Sequence, residues 1–158
     1  MGTLVTNADG LQLNYGTRDV EVNYARAVGG VDAVQQVVFD IKGTSIGTTV
    51  TIKASQAFIP ANSLITRATL LVKAAFTSGG AATLDIGAYS IAGTAIDADG
   101  IDAAVAVGAL GANADVSCDG ALVGTIVTAD CYLGATYGTA AYTAGTARLV
   151  VEYIQNRG

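Results

Sequence analysis

The chain has 158 residues, a net charge of −5 and no histidine. Its few Lys and Arg stand singly, which argues against a nucleic-acid footprint, and without His neither Ser-His-Asp or Cys-His catalysis nor a His-ligated zinc or iron site can be assembled. Charged residues make up only 13%, against roughly 25% in ordinary soluble domains, so the surface is either covered by partners or prone to aggregate.

Residues 1–30 differ from the rest. Asn7, Asp9, Gly10, Asn14, Gly16, Gly29 and Gly30 interrupt any continuous apolar pattern. The segment reads as an extended arm with local pairing, followed by a body over residues 31–158. Val20, Val22 and Tyr24 alternate with Asp19, Glu21 and Asn23, which predicts one short strand. Leu11, Leu13 and Tyr15 share that two-residue spacing, as strand addition to a neighbour's sheet edge requires. These six residues are the candidate partner-binding positions of the arm.

The body reads as strands. Val34–Lys42 sets Val37, Phe39 and Ile41 against Gln36, Asp40 and Lys42, and Thr48–Ser55 sets Val50, Ile52 and Ala54 against Thr49, Thr51 and Lys53. Pro60-Ala61-Asn62-Ser63 is a turn, because Pro presets φ and Asn tolerates left-handed backbone. Leu64–Phe76 is the clearest strand, with Leu64, Thr66, Ala68, Leu70, Val72, Ala74 and Phe76 on one face and Arg67, Thr69 and Lys73 on the other. Thr77-Ser78-Gly79-Gly80 then predicts a hairpin to Ala82–Tyr89, which makes those two strands antiparallel neighbours.

The alternation breaks at Asp97–Leu110. Ile101, Ala104 and Val105 fall at helical spacing, Asp99 suits an N-cap, and Asp102 suits the first turn, so one short helix is expected over Ile101–Val107. Strands resume at Ala121–Val127, Cys131–Tyr137 and Thr146–Gln155. In the last, Ala147, Leu149, Val151 and Tyr153 face one way and Arg148 and Glu152 the other. The whole is an all-β, jelly-roll-like antiparallel sandwich of about eight strands, with one short helix and an N-terminal arm.

Few residues here could carry chemistry. Asp97, Asp99 and Asp102 partly match a calcium loop, but the third Asp follows Gly100 and position twelve is Gly108, not Glu. A capped helix start explains these acids better, so no metal or other cofactor is expected. Cys118 and Cys131 read as small buried hydrophobes in a protein made in a reducing compartment, although a disulfide stays open. Among seven tyrosines, Tyr132, Tyr137 and Tyr142 cluster late in the chain, where interface and edge-of-core roles are equally open. No run reaches the ~18 apolar residues of a membrane span. The N-terminus has no basic n-region followed by an apolar h-region, so no secretory signal is read there.

The runs Phe58–Ile65 and Phe76–Gly87, the stretch Asp97–Ala104 and the ending Tyr142–Tyr153 are together similar to small virion proteins of tailed phages, particularly marine and cyanobacterial ones. The likeness spans roughly residues 35–155. It implies a non-enzymatic capsid decoration or cement protein that binds the major capsid protein on the particle surface as a homotrimer. It carries over no catalytic residue. The alternative is a head-fibre or tail-spike type module that recognises host glycans.

Overall fold

The computed structural model describes residues 3–6, 12–15, 33–53 and 57–155. Eight strands build two facing antiparallel sheets: β3 (Gln35–Lys42), β4 (Phe58–Ile59), β5 (Ser63–Ser78), β6 (Thr83–Tyr89), β7 (Ala95–Ala106), β8 (Asp115–Ser117), β10 (Cys131–Gly138) and β11 (Tyr142–Gln155). A ninth short piece, β9 (Ile126–Val127), continues the edge started by β8. One sheet runs β3-β11-β5-β8 and the other β4-β10-β6-β7. Counted among the eight, that is first-eighth-third-sixth against second-seventh-fourth-fifth. This is the strand order of a jelly roll, as the sequence predicts.

The core lies between the sheets. Leu149 and Val151 of β11, Leu70 of β5, Leu84 and Ile86 of β6, and Leu133 of β10 are fully buried. They alternate with outward residues along each strand, so the period-two reading holds for β3, β6 and β11. β1 (Thr3–Thr6) and β2 (Gln12–Tyr15) pair with each other, which is the local pairing expected in the arm.

Several expectations are corrected. β5 and β6 are not neighbours: β5 pairs with β11, β8 and β9, and β6 pairs with β10 and β7. The Gly79-Gly80 turn carries the chain from one sheet to the other, and alternation alone is blind to which sheet a strand joins. β5 also changes phase. Ala68, Leu70, Val72 and Phe76 are inward, but before them Ile65 is buried and Leu64 only half-buried. A register shift between the pairs Glu152–Arg67 and Tyr153–Ile65 leaves Thr66 with no opposing residue in the ladder, its hydroxyl donating to the Glu152 carbonyl at 3.1 Å, and one extra residue reverses every side chain beyond it.

The helix expected over Ile101–Val107 is a strand. β7 runs to Ala106, followed by a single 3₁₀ turn at Val107–Ala109. The helical spacing comes from a bulge: between the pairs Ile86–Asp102 and Leu84–Val105, β7 spends three steps where β6 spends two. Ala104 takes left-handed backbone there (φ 51°), and its N–H donates to Asp85 Oδ1 at 2.7 Å. Asp99 therefore caps nothing. Residues 48–53 form no ladder, and residues 121–125 are turn apart from the approach to β9. The strand expected at Thr48–Ser55 is irregular chain over residues 48–53, with Ala54 and Ser55 outside the described residues, and the one expected at Ala121–Val127 reduces to the two residues of β9.

Candidate functional site

The surfaces differ in how far the chain covers them itself. On the β4-β10-β6-β7 sheet, the outward row Phe58–Tyr132–Tyr89–Ala95 crosses all four strands. Below it, Gly134 stands opposite Gly87. A Cβ on Gly134 would lie 2.8 Å from the Tyr89 ring and from Val50, and one on Gly87 would lie 2.2 Å from the Asp97 carbonyl oxygen. The two glycines let the 46–53 connection and the bulge of β7 fold down over this face. Tyr89 is buried beneath that cover, and its hydroxyl donates to the Ala98 carbonyl at 3.3 Å.

The outer face of the other sheet is open and mixed. Arg148 holds Asp40 through two contacts at 2.8 and 3.1 Å, and Gln36 donates to Glu152 at 2.9 Å. The Arg148 guanidinium keeps the Asp40 carboxyl below the usual carboxylate range. Val38 and Leu71 lie exposed on the same face.

The two flanks of the sandwich are unlike. On one, the segment between β8 and β9 crosses to the opposite sheet, where Gly120 and Leu122 donate backbone hydrogen bonds to the Ile101 and Gly100 carbonyls at 2.9 and 2.8 Å. On the other, a cleft of about 570 Å³ opens between β3 and residues 45–53, lined by Phe39, Ile41, Ile46, Val50 and Lys42.

The three candidate acids part company. Asp97 and Asp99 are neighbours, and burial, then the Asp99 carboxyl, pushes the Asp97 carboxyl up. Asp102 instead lies inward, opposite Ile86 and beside the Cys118 thiol. Burial raises the Asp102 carboxyl too, and burial followed by the charge of Asp102 pushes the Cys118 thiol up to about 12. Among the described residues no group of three or more His, Cys, Asp and Glu side chains is placed to hold a metal. Cys118 and Cys131 are both buried and unbridged.

Of the arm residues, Leu13 and Tyr15 fall in β2. Leu11, Val20, Val22 and Tyr24 lie outside the described residues. The late tyrosines divide: Tyr142 is core, edge-on to Phe76 at 5.2 Å, Tyr137 packs against the core, and Tyr132 faces outward against Phe58 at 5.2 Å. Sequence reasoning missed Phe58, Ile91, Ile96 and Ile126 as exposed. Their signal was position beside turn residues such as Pro60, Gly93 and Gly124, not composition.

No protein-family model and no curated protein matches the sequence. Among solved structures, a chain of the cyanophage Pam1 capsid asymmetric unit superposes with a TM-score of 0.58 at 19% identity, over 89% of this chain and 98% of that one. A chain in the capsid of Ralstonia phage GP4 superposes with a TM-score of 0.51 at 20% identity, over 87% and 94%. The fold is shared with chains of two phage capsids. Both correspondences run through the sandwich and nearly the whole of the other chain, so the resemblance to phage virion proteins seen in the sequence extends to three dimensions.

Proposed function

We propose that this chain is a non-enzymatic structural protein of a tailed-phage particle, which binds the outer surface of the capsid shell and stabilises it as a decoration or cement protein. The observation that carries this reading is the near full-length superposition on chains of two phage capsids. The low charge supports it, since interface cores are depleted in charged residues. Its partner in this reading is the major capsid protein. The chain assembles as a homotrimer, because closed cyclic symmetry hides surface of this kind. The arm, through Leu11, Leu13, Tyr15, Val20, Val22 and Tyr24, adds strands to a neighbour.

The test is reconstitution. Purified chain is added to phage heads prepared without it, and occupancy and head melting are measured. Saturable binding that raises the melting temperature of the heads is expected; absence of binding rejects the reading. A reconstruction showing isolated monomers rejects the trimer. The exposed Phe58–Tyr132 pair favours a second reading, glycan recognition, since aromatic faces stack on sugars. Titration with host-surface oligosaccharides decides it: saturable binding abolished by Phe58→Ala supports recognition.

A further inference from the structure

The exposed large hydrophobic residues are not scattered. Seven are found among the described residues, and five of them, Val34, Phe58, Ile91, Ile96 and Ile126, lie at one end of the sandwich. The strand register places them. Phe58 pairs across to Tyr132, Tyr132 to Tyr89, and Tyr89 to Ala95, beside Ile96. Ile91 sits in the turn that joins Tyr89 to Ala95. Ile126 pairs with Leu64, just past the turn that leaves β4, and that turn is tied to β9 by the Asn62 N–H donating to the Val127 carbonyl at 2.8 Å. Val34 precedes Gln35, which pairs with Tyr153, itself paired with Ile65.

Three stretches form most of this end: residues 57–66, 86–96 and 120–129. None contains Asp, Glu, Lys or Arg, and beside them the exposed Asp130 carboxylate accepts a hydrogen bond from the Ala61 N–H at 2.8 Å. The opposite end, at residues 79–82, 107–113 and 139–141, holds no charge and is built of Gly, Ala, Thr and Asn apart from the half-buried Val107 and the buried Leu110, with no large hydrophobic residue exposed. The molecule is therefore polar in the geometric sense, with a bulky apolar end and a small-residue end. β5 alone runs about 50 Å between them at ~3.3 Å per residue, so one partner surface does not reach both.

We infer that the apolar end is the base by which the protein seats on the capsid shell. This inference rests on the capsid-binding reading above. Two observations choose the shell over a second copy. Residues 1–30, the proposed capsid-binding arm, lead into the described body at Ala33 and Val34, within this same end, so arm and base address one partner. Copies standing side by side in a ring meet through their flanks and sheet faces, which leaves a strand-axis end free. A patch of exposed Ile and Phe also suits a protein surface, and Asp130 beside it already accepts a hydrogen bond from the Ala61 N–H at 2.8 Å, so burying the end does not leave that carboxylate without a partner.

The experiment uses full-length chain and heads prepared without it. The double variant Ile96→Asp/Ile126→Asp is compared with wild type and with Ala109→Asp at the far end, each checked by thermal melting. The double variant should melt as a folded protein and bind heads at least about tenfold more weakly, while Ala109→Asp binds within about twofold of wild type. Equal binding by the double variant and wild type overturns the inference and leaves the functional reading standing. Failure of wild type to bind overturns both. A double variant that binds heads normally but sediments at a smaller mass than wild type assigns the end to a second copy and overturns the inference.

Discussion

Asp102 is the residue whose setting departs furthest from what its type prefers. A carboxylate held between sheets loses hydration, and the neighbouring Cys118 thiol offsets only part of that loss. Its folded pKa is raised above the unfolded value, so the folded state binds more protons between the two. Stability must therefore fall as pH rises from the unfolded value, about 3.9, through the folded one, and then level off. Asp40 acts in the opposite sense. Its pKa is lowered by Arg148, and its contribution is present above the unfolded value and lost as pH falls through the folded one. Asp102→Asn removes the first dependence and keeps the second. Melting temperatures measured from pH 3.5 to 7.5 should show a smaller decline toward neutral pH in the variant than in wild type. An unchanged profile places the titrating group elsewhere.

At the scale of elements, β11 organises the molecule. It is the central strand between β3 and β5, and its inward residues Ala147, Leu149, Val151 and Tyr153 are all buried. Leu149→Ala should cost about 2–5 kcal/mol in urea denaturation, because a fully buried Leu leaves a cavity that paired strands cannot close. Arg148→Ala, one position earlier, should change stability little, since its ion pair with Asp40 is exposed on both sides. Parity between the two variants would mean that the outer face, not the core, carries the strand. β7 teaches the converse. Its bulges place Ile101, Asp102 and Val105 all inward, a spacing that imitates a helix turn, and the reason, the pairing of β6 with an overlong β7, exists only once both strands are side by side.

At the scale of the molecule, the sandwich has a closed flank, an open flank, a bulky apolar end and a small-residue end. The arm joins at the apolar end. Deleting residues 2–26 removes β1 and β2 and leaves every core residue found among the described residues in place, so the shortened chain should remain soluble and melt cooperatively. It should also lose binding to heads, because strand addition supplies many hydrogen bonds to offset ordering costs of ~1–2 kcal/mol per residue. Calorimetry and head co-sedimentation on the same preparation check both halves. Undiminished binding means that the base alone anchors the protein.

The amino-acid sequence by itself determined the class of fold, the strand periodicity of β3, β6 and β11, the turn at Pro60–Asn62 with its left-handed Asn62 (φ 61°), and the exclusion of histidine chemistry. Each follows from local rules: side-chain alternation, preset φ angles, residue inventory. Only the tertiary structure decided which sheet each strand joins, where bulges reverse a face in β5 and β7, and which apolar residues stay outside. Those outcomes depend on partners far along the chain. Leu70 and Ile126 look alike as sequence, and differ because one meets the opposite sheet and the other stands at the rim where the sheets end.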